Sequence, residues 1–449
     1  MSIIMNADDG SVAECIARLE SPSSDGWRHR VRLVIGMATF LDSFDIFSIA
    51  FVMPVMAPLW HLSPVQVGMV FSIGFLGQMI GSVVFGFFSE RYGRIRALSV
   101  AVFIFAVATL LSALVQSAAQ FEALRFIQGL GLGGHVPIAA TYITEISRQA
   151  GRGRFVLLYE SIFAVGNVLA AVICRIFLAA FGWQSIFWLS GVAGVLLLPF
   201  VMRLPESPRW LCARGQARYA LDLVRGLETG KQQGPGPLPV PVHGGAAGRL
   251  RVSLFLPRDS LRLLLLTVPL WFALGFLNYG LATWLPIIYT RQFRLPVSDA
   301  LDYSIIRSVI IFIGTIACSL AIDAIGRRKI VMGGFLCAAL PLVALALMGS
   351  AMTAGWVFFM TLITSFFVAV LMLAVYLYTP ELCPAQARGA FTGFNAAVLR
   401  FASMIAPGAV GLGMSHGSIA GVFMLFAAVG LMVSGISFVM ARETRHLVM

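Results

Sequence analysis

Charge is scarce in this chain. Only 12% of its 449 residues are Asp, Glu, Lys or Arg, against 59% hydrophobic, an imbalance that excludes an ordinary soluble enzyme. Cysteine is sparse too. The six (Cys15, Cys174, Cys212, Cys318, Cys337 and Cys383) are scattered without a CxxC pair, which argues against a disulfide framework and a metal site. No phosphate loop, nucleophile motif or metal-ligand cluster appears, so neither an enzyme nor a cofactor is expected. The first apolar run is full length and no small-residue cleavage site follows it, so no cleavable signal peptide is read. Finally, the short loops 116–120, 182–184, 349–355 and 414–419 contain no Lys or Arg.

What the chain has instead is apolar runs long enough to cross a hydrocarbon core of about 30 Å as helices. Twelve are read, over 32–58, 66–88, 97–117, 121–145, 155–180, 184–203, 262–289, 303–323, 329–349, 354–378, 389–413 and 417–440. They are too long for barrel strands and lack strict alternation. The expected fold is all-α and bilayer-embedded, with a polar tail over 1–26, a first bundle over 27–203, a linker over 204–261, a second bundle over 262–441 and a tail over 442–449. The formal charge of +12 does not point to nucleic acid, because the arginines cluster in alternate loops. Arg28, Arg30 and Arg32 precede the first run, and Arg91, Arg94 and Arg96 follow the second. The loop at 290–302 dissents with Arg291 and Arg294, balanced by Asp299 and Asp302. Positive residues stay on the cytoplasmic side, so both termini and the linker are expected there.

One long unit is used twice. Glu145 and Arg152 stand seven apart in YITEISRQAGRG, as do Glu381 and Arg388 in YTPELCPAQARG. RYGR ends one apolar run and IGRR another, with Asp323 in the place of Glu90. The two pairs are displaced by 236 and 233 positions, as few insertions would leave them. A membrane chain built from two such halves is a transporter candidate. Gly86 and Gly93 are expected to allow tight turning and close helix approach, while Glu90 meets arginines at the inner surface.

Charges inside the runs carry the chemistry. Asp42 and Asp45 share a helix face roughly 15–20 Å inside the first run. Carboxylates there need a wet cavity, a cation or a proton; the plain alternative is a structural polar contact. Arg400 lies about 18 Å into the eleventh run, beyond easy snorkelling, and its charge cannot be discarded. It needs an anion: Asp42 or Asp45 across a cavity, or a substrate carboxylate gripped by the guanidinium fork. Histidine is the side chain suited to exchanging protons near physiological pH, so His135 reads as a proton relay, a donor to substrate, or a packed and satisfied side chain. Asn278 and Tyr279 offer hydrogen bonds and Trp284 a flat apolar wall, unless the aromatics are interface anchors. Gly280 and Pro286 would permit a kink there, and Asn395 shares the eleventh run with Arg400. Glu160 is expected to pair at the inner surface, and Arg175 to reach the outer one. Asp302 and Arg307 read as a gate or a local charge pair near the outer interface.

GFFSERYGRIR and AIDAIGRRK resemble the cytoplasmic loop signatures of the major facilitator superfamily. RFIQGLGLGG resembles its fourth-helix signature, and PESPRWL (205–211) its signature after the sixth helix. The resemblance covers roughly residues 30–445. It implies two pseudo-symmetric six-helix bundles around a cavity that opens alternately to each side, a monomer, and a bacterial inner membrane location. The implied cytoplasmic gating motif comprises Gly86, Glu90, Gly93, Arg94, Glu145 and Arg152, repeated as Asp323, Gly326, Arg327, Glu381 and Arg388. Sugar porters share PESPRWL but carry a glutamine pair in the seventh helix, which WFALGFLNYGLATWLP lacks. The NYGxxxWLP pattern, the DxxD of the first helix and the arginine in the eleventh resemble niacin-uptake carriers and aromatic acid:proton symporters. In that family the position of Arg125 is linked to proton coupling. His135 departs from the pattern, which usually has glutamate there.

The combined expectation is proton-coupled uptake of a small organic anion. Arg400, Asn395, Asn278, Tyr279, Trp284 and His135 would contact substrate, and Asp42, Asp45 and Arg125 would serve the proton. A sugar or metabolite symporter, a proton-driven exporter and a nutrient sensor are the rival readings.

Overall fold

A computed structural model describes residues 7–21, 25–147, 152–229, 258–383 and 388–444, and no strand occurs among them. Six long helices form the first bundle: α2 (Asp25–Leu59), α3 (Pro64–Tyr92), α4 (Arg94–Ser112), α5 (Ala118–Ile146), α6 (Arg152–Phe181) and α7 (Gln184–Met202). The second bundle holds α10 (Arg258–Ile287), α11 (Val297–Ile325), α12 (Arg327–Met348), α13 (Ala354–Leu382), α14 (Arg388–Ser415) and α15 (Ile419–Met440). Each agrees with its expected run to within seven residues at either end. Between the bundles lie α8 (Pro208–Ala213) and α9 (Ala217–Glu228). Among the described residues, eleven of the twelve long helices are apolar enough to cross a membrane. The twelfth, α5, has the length at 29 residues, but glycines, Arg125, Gln128 and His135 dilute its hydropathy.

Glycines on both helices let α5 lie against α3. A Cβ on Gly77 would run into the Phe126 carbonyl, one on Gly81 into the Leu130 carbonyl, and one on Gly133 into the Gln78 carbonyl. Backbones this close are held by van der Waals contact rather than by a hydrophobic driving force, which lipid does not supply. On the outer perimeter Leu320, Leu347 and Val439 stand exposed, as side chains facing hydrocarbon would.

The helices alternate in direction, so each bundle has a linker end, near α8 and α9, and a far end. At the far end the bundles are shut against each other. A Cβ on Gly68 of α3 would meet the Pro407 carbonyl of α14 at 2.7 Å, and one on Gly411 would meet the Pro64 carbonyl at 2.6 Å. Arg291 donates twice to the Leu62 carbonyl at 3.1 Å. Arg175 and Asp302 form an ion pair at 2.9 Å; Arg175 does reach the end of its helix, and Asp302 is its partner.

At the linker end the sequence repeat becomes a repeated latch. Arg94 pairs with Glu145 and Glu90, each at 2.9 Å, and Arg327 pairs with Glu381 at 3.3 Å. Gly93 and Gly326 have φ of 104° and 94°, a region that favours glycine. Over each glycine sits a carboxylate. Glu206 accepts from the Arg94 backbone N–H at 2.8 Å, and Glu443 from that of Arg327 at 3.1 Å. Burial pushes the Glu206 carboxyl up, opposed by the backbone N–H groups of Ser207, Arg94 and Ile95. Tyr142 donates to the Pro205 carbonyl and Tyr378 to that of Arg442, which locks the segments after α7 and α15. Gly86 differs from expectation: a Cβ there would meet open space, so no close approach demands the glycine. The side chains of Arg152, Asp323, Arg388 and Glu160 lie outside the described residues.

The tail over 1–26 is not wholly irregular. Residues Ala7–Leu19 form α1, with Cys15 and Leu19 fully buried at helical spacing i, i+4. Ion pairs Arg18–Glu228, Arg225–Glu14 and Arg209–Glu20 at 2.6–2.9 Å fasten this segment to the linker helices. The sequence reading passed over it because its apolar stripe is only two or three residues wide.

Candidate functional site

Four ionisable side chains of the first bundle meet at mid-depth. Asp42 and Asp45, three apart on α2, are each 1% exposed and face α5. Arg125 donates to Asp45 at 3.1 Å and also to Gln128, whose amide donates to Thr109 at 2.6 Å. Arg125 therefore does not snorkel. Its guanidinium lies against Gly74 of α3, where a Cβ would make ordinary contact with it at 3.4 Å. Ten residues along α5, the His135 ring stands 3.8 Å from the Asp42 carboxylate. Among the described residues, both carboxylate oxygens of Asp42 and both ring nitrogens of His135 are sealed from solvent without a hydrogen-bond partner. The two pairs differ in kind. Asp45–Arg125 is an ion pair in a hydrogen-bonded chain with Asp45 Oδ1 and Arg125 Nε left over, whereas Asp42–His135 has every polar atom still to satisfy.

Opposite them, α14 presents Arg400. The side chain is half-buried and donates to the Gln78 side-chain oxygen of α3 at 2.6 Å, so it sits between the bundles and not in lipid. Neither Asp42 nor Asp45 pairs with it, contrary to one expected arrangement. Those acids lean toward α5, while Arg400 contacts α3 on its other flank. Among the described residues its partner is thus a neutral amide, which leaves a full positive charge uncompensated.

The remaining candidates divide. Tyr279 lies at the bundle interface, with ring centroids 6.5 Å from Phe47 and 5.1 Å from Phe75, and Asn278 beside it is half-buried. Trp284 is 2% exposed and donates to the Pro407 carbonyl at 3.0 Å, so it braces α10 against α14 and is not an interface anchor. Asn395 is not beside Arg400. Five residues put the two about 140° apart around α14, and Asn395 is buried, donating to the Phe391 carbonyl at 2.8 Å with its side-chain oxygen unpartnered. Arg307 and Asp302 do not pair; Arg307 turns inward and donates to Ser365 at 2.9 Å.

Gln78 is the residue that sequence reasoning missed. A lone amide in the apolar run FLGQMIG was the available signal, since a polar side chain in such a helix faces a protein partner. No group of His, Cys, Asp and Glu among the described residues could hold a metal ion.

The profile of the Major Facilitator Superfamily matches residues 35–407. The chain is 30% identical over 436 residues to the niacin transporter NiaP of Acinetobacter baylyi, covering 96% of this chain and 98% of that protein. It is 31% identical over 191 residues to the 4-hydroxybenzoate transporter PcaK of Pseudomonas aeruginosa, covering 42% and 43%. In fold it is similar to the xylose transporter XylE from E. coli in a partially occluded inward-open conformation, with a TM-score of 0.74 at 18% identity over 94% of this chain and all of that one. With its two six-helix bundles, doubled latch and charged mid-depth interface, the chain belongs to the Major Facilitator Superfamily and is a multi-pass membrane transporter.

Proposed function

We propose that the transporter carries a small organic anion, an aromatic carboxylate of the nicotinate or benzoate class, together with a proton into the cell. The observation that carries this reading is Arg400: a permanent cation at mid-depth between the bundles whose partner is a neutral amide. Burying a charge without a counter-charge costs several kcal/mol, and a carboxylate would supply that counter-charge bidentately. Tyr279, Asn278 and the Phe47 and Phe75 rings around them would accept a flat ring. The functions named for NiaP and PcaK support the substrate class, and the missing glutamine pair in α10 speaks against a sugar.

Asp42 and His135 are the proton's seat in this account. A proton shared between them converts two unpartnered buried groups into one hydrogen-bonded pair. The proton also offsets the carboxylate's charge as the loaded carrier crosses the potential, where one elementary charge is worth about 2.3 kcal/mol per 100 mV. With the arginine-rich loops on the cytoplasmic side, the far end is external and the linker end internal. The shut far end then corresponds to a carrier facing the cytoplasm, one of the two states that alternating access requires. Coupling follows when substrate and proton favour the same rearrangement.

Purified carrier in proteoliposomes, offered labelled nicotinate, benzoate, an aliphatic carboxylate and xylose, tests the reading. Uptake of an aromatic carboxylate that rises when the outside is acidified is the expected result. Uptake of xylose alone, or carboxylate flux indifferent to the pH gradient, would overturn it.

A further inference from the structure

A second interior arginine has no counter-charge among the described residues. Arg307 lies ten residues into α11 and is 8% exposed. Its Nε donates to the Ser365 hydroxyl of α13 at 2.9 Å, and among the described residues its two terminal nitrogens have no hydrogen-bond partner. Tyr289, in the π-helical turn Ile288–Gln292 after α10, shares a 3.4 Å contact with Thr361 and an edge-on contact with Tyr303 at 5.2 Å. Tyr303 in turn stacks on Phe358 at 4.1 Å. The nearest acid along α11, Asp302, is engaged by Arg175 at 2.9 Å.

An arginine cannot shed its charge, and hydroxyls solvate a cation without neutralising it. Two free N–H edges beside a serine and a tyrosine hydroxyl match a carboxylate, and the Tyr303–Phe358 pair offers an aromatic surface next to it. The location is informative as well. Ser308, the next residue, donates across the bundle boundary to Asn167 of α6 at 3.3 Å. That contact, at the middle of α6, joins the bundles beneath the shut far end and must part when they separate as far down as Arg307.

We propose that Arg307, with Ser365 and Tyr289, is a second carboxylate-binding site, loaded when the bundles separate at the far end, from which the substrate passes to Arg400. The proposal rests on the organic-anion reading above. It assigns the arginines to opposite faces of the transport cycle: Arg307 receives substrate from the far side, and Arg400 holds it at the centre.

Oriented vesicles test it by measuring KM for benzoate or nicotinate loaded from either side, in wild type and in Arg307→Gln, Arg307→Lys and Arg400→Gln. Arg307→Gln is expected to raise the far-side KM by about tenfold, the scale of one lost charge-assisted hydrogen bond, with the linker-side KM within about twofold of wild type. Arg307→Lys restores part of the loss, because the charge returns without the fork. The Tm of Arg307→Gln is not lowered, since an uncompensated buried charge has been removed. A far-side KM unchanged in Arg307→Gln, a rise equal from both sides, a lowered Tm with both KM values intact, or a change confined to chloride dependence each overturns the proposal. Wild-type KM values in Arg400→Gln would instead sink the organic-anion reading.

Discussion

At the scale of single residues, two buried acids three positions apart do different work because their partners differ. Asp45 answers Arg125, and removing one member of a buried ion pair strands the other, at a cost of about 3–5 kcal/mol. Asp45→Asn is therefore expected to lower the Tm of the purified carrier sharply, and adding Arg125→Gln to recover much of the loss. If the double variant is less stable than the single one, the two do not stabilise each other as an ion pair. Asp42 has no such tie. Asp42→Asn and His135→Gln are each expected to leave the Tm near wild type, abolish accumulation driven by a pH gradient, and spare exchange of labelled substrate across the membrane. Survival of gradient-driven accumulation in both variants would place the proton elsewhere.

At the scale of helices, glycine contacts decide what can pack. A branched side chain at Gly133 must displace the α3 backbone at Gln78, so Gly133→Val is expected to leave little folded protein in the membrane. Gly86→Ala meets open space and is expected to be neutral, which membrane yield and Tm check together. Much at this scale was legible in the sequence. Lipid demands long apolar helices, so run length located all twelve, and the doubled Glu145 and Glu381 motifs located both latches. What escaped was pairing between distant residues. Gln78 meets Arg400 across 322 positions, and nothing in FLGQMIG specifies that partner. Glu206 and Glu443 close the latches from outside the motifs that revealed them. Arg307 was read with Asp302 as a gate or a local charge pair, whereas Asp302 pairs with Arg175 and Arg307 donates to Ser365, because counting residues fixes depth and not which partner a side chain finds. The short helix α1 was missed since its face is too narrow to rise above a polar background.

At the scale of the molecule, the bundles are joined firmly at the far end, by Gly68 and Gly411 against backbone and by Arg175 to Asp302, and at the centre by Arg400 to Gln78. The mid-depth acids Asp42 and Asp45 and the protonatable His135 lie in the first bundle, and Arg307 and Arg400, which have no carboxylate partner among the described residues, lie in the second. A carboxylate and a proton bound between them would join the halves electrically as well as sterically, which is what a rocking carrier needs in order to move only when loaded. The most direct measurement is uptake of labelled benzoate or nicotinate driven by an imposed pH gradient, comparing wild type with Arg400→Ala at matched amounts of inserted protein. Accumulation in the wild type and its loss in Arg400→Ala is the predicted result. Undiminished accumulation by Arg400→Ala would contradict the account.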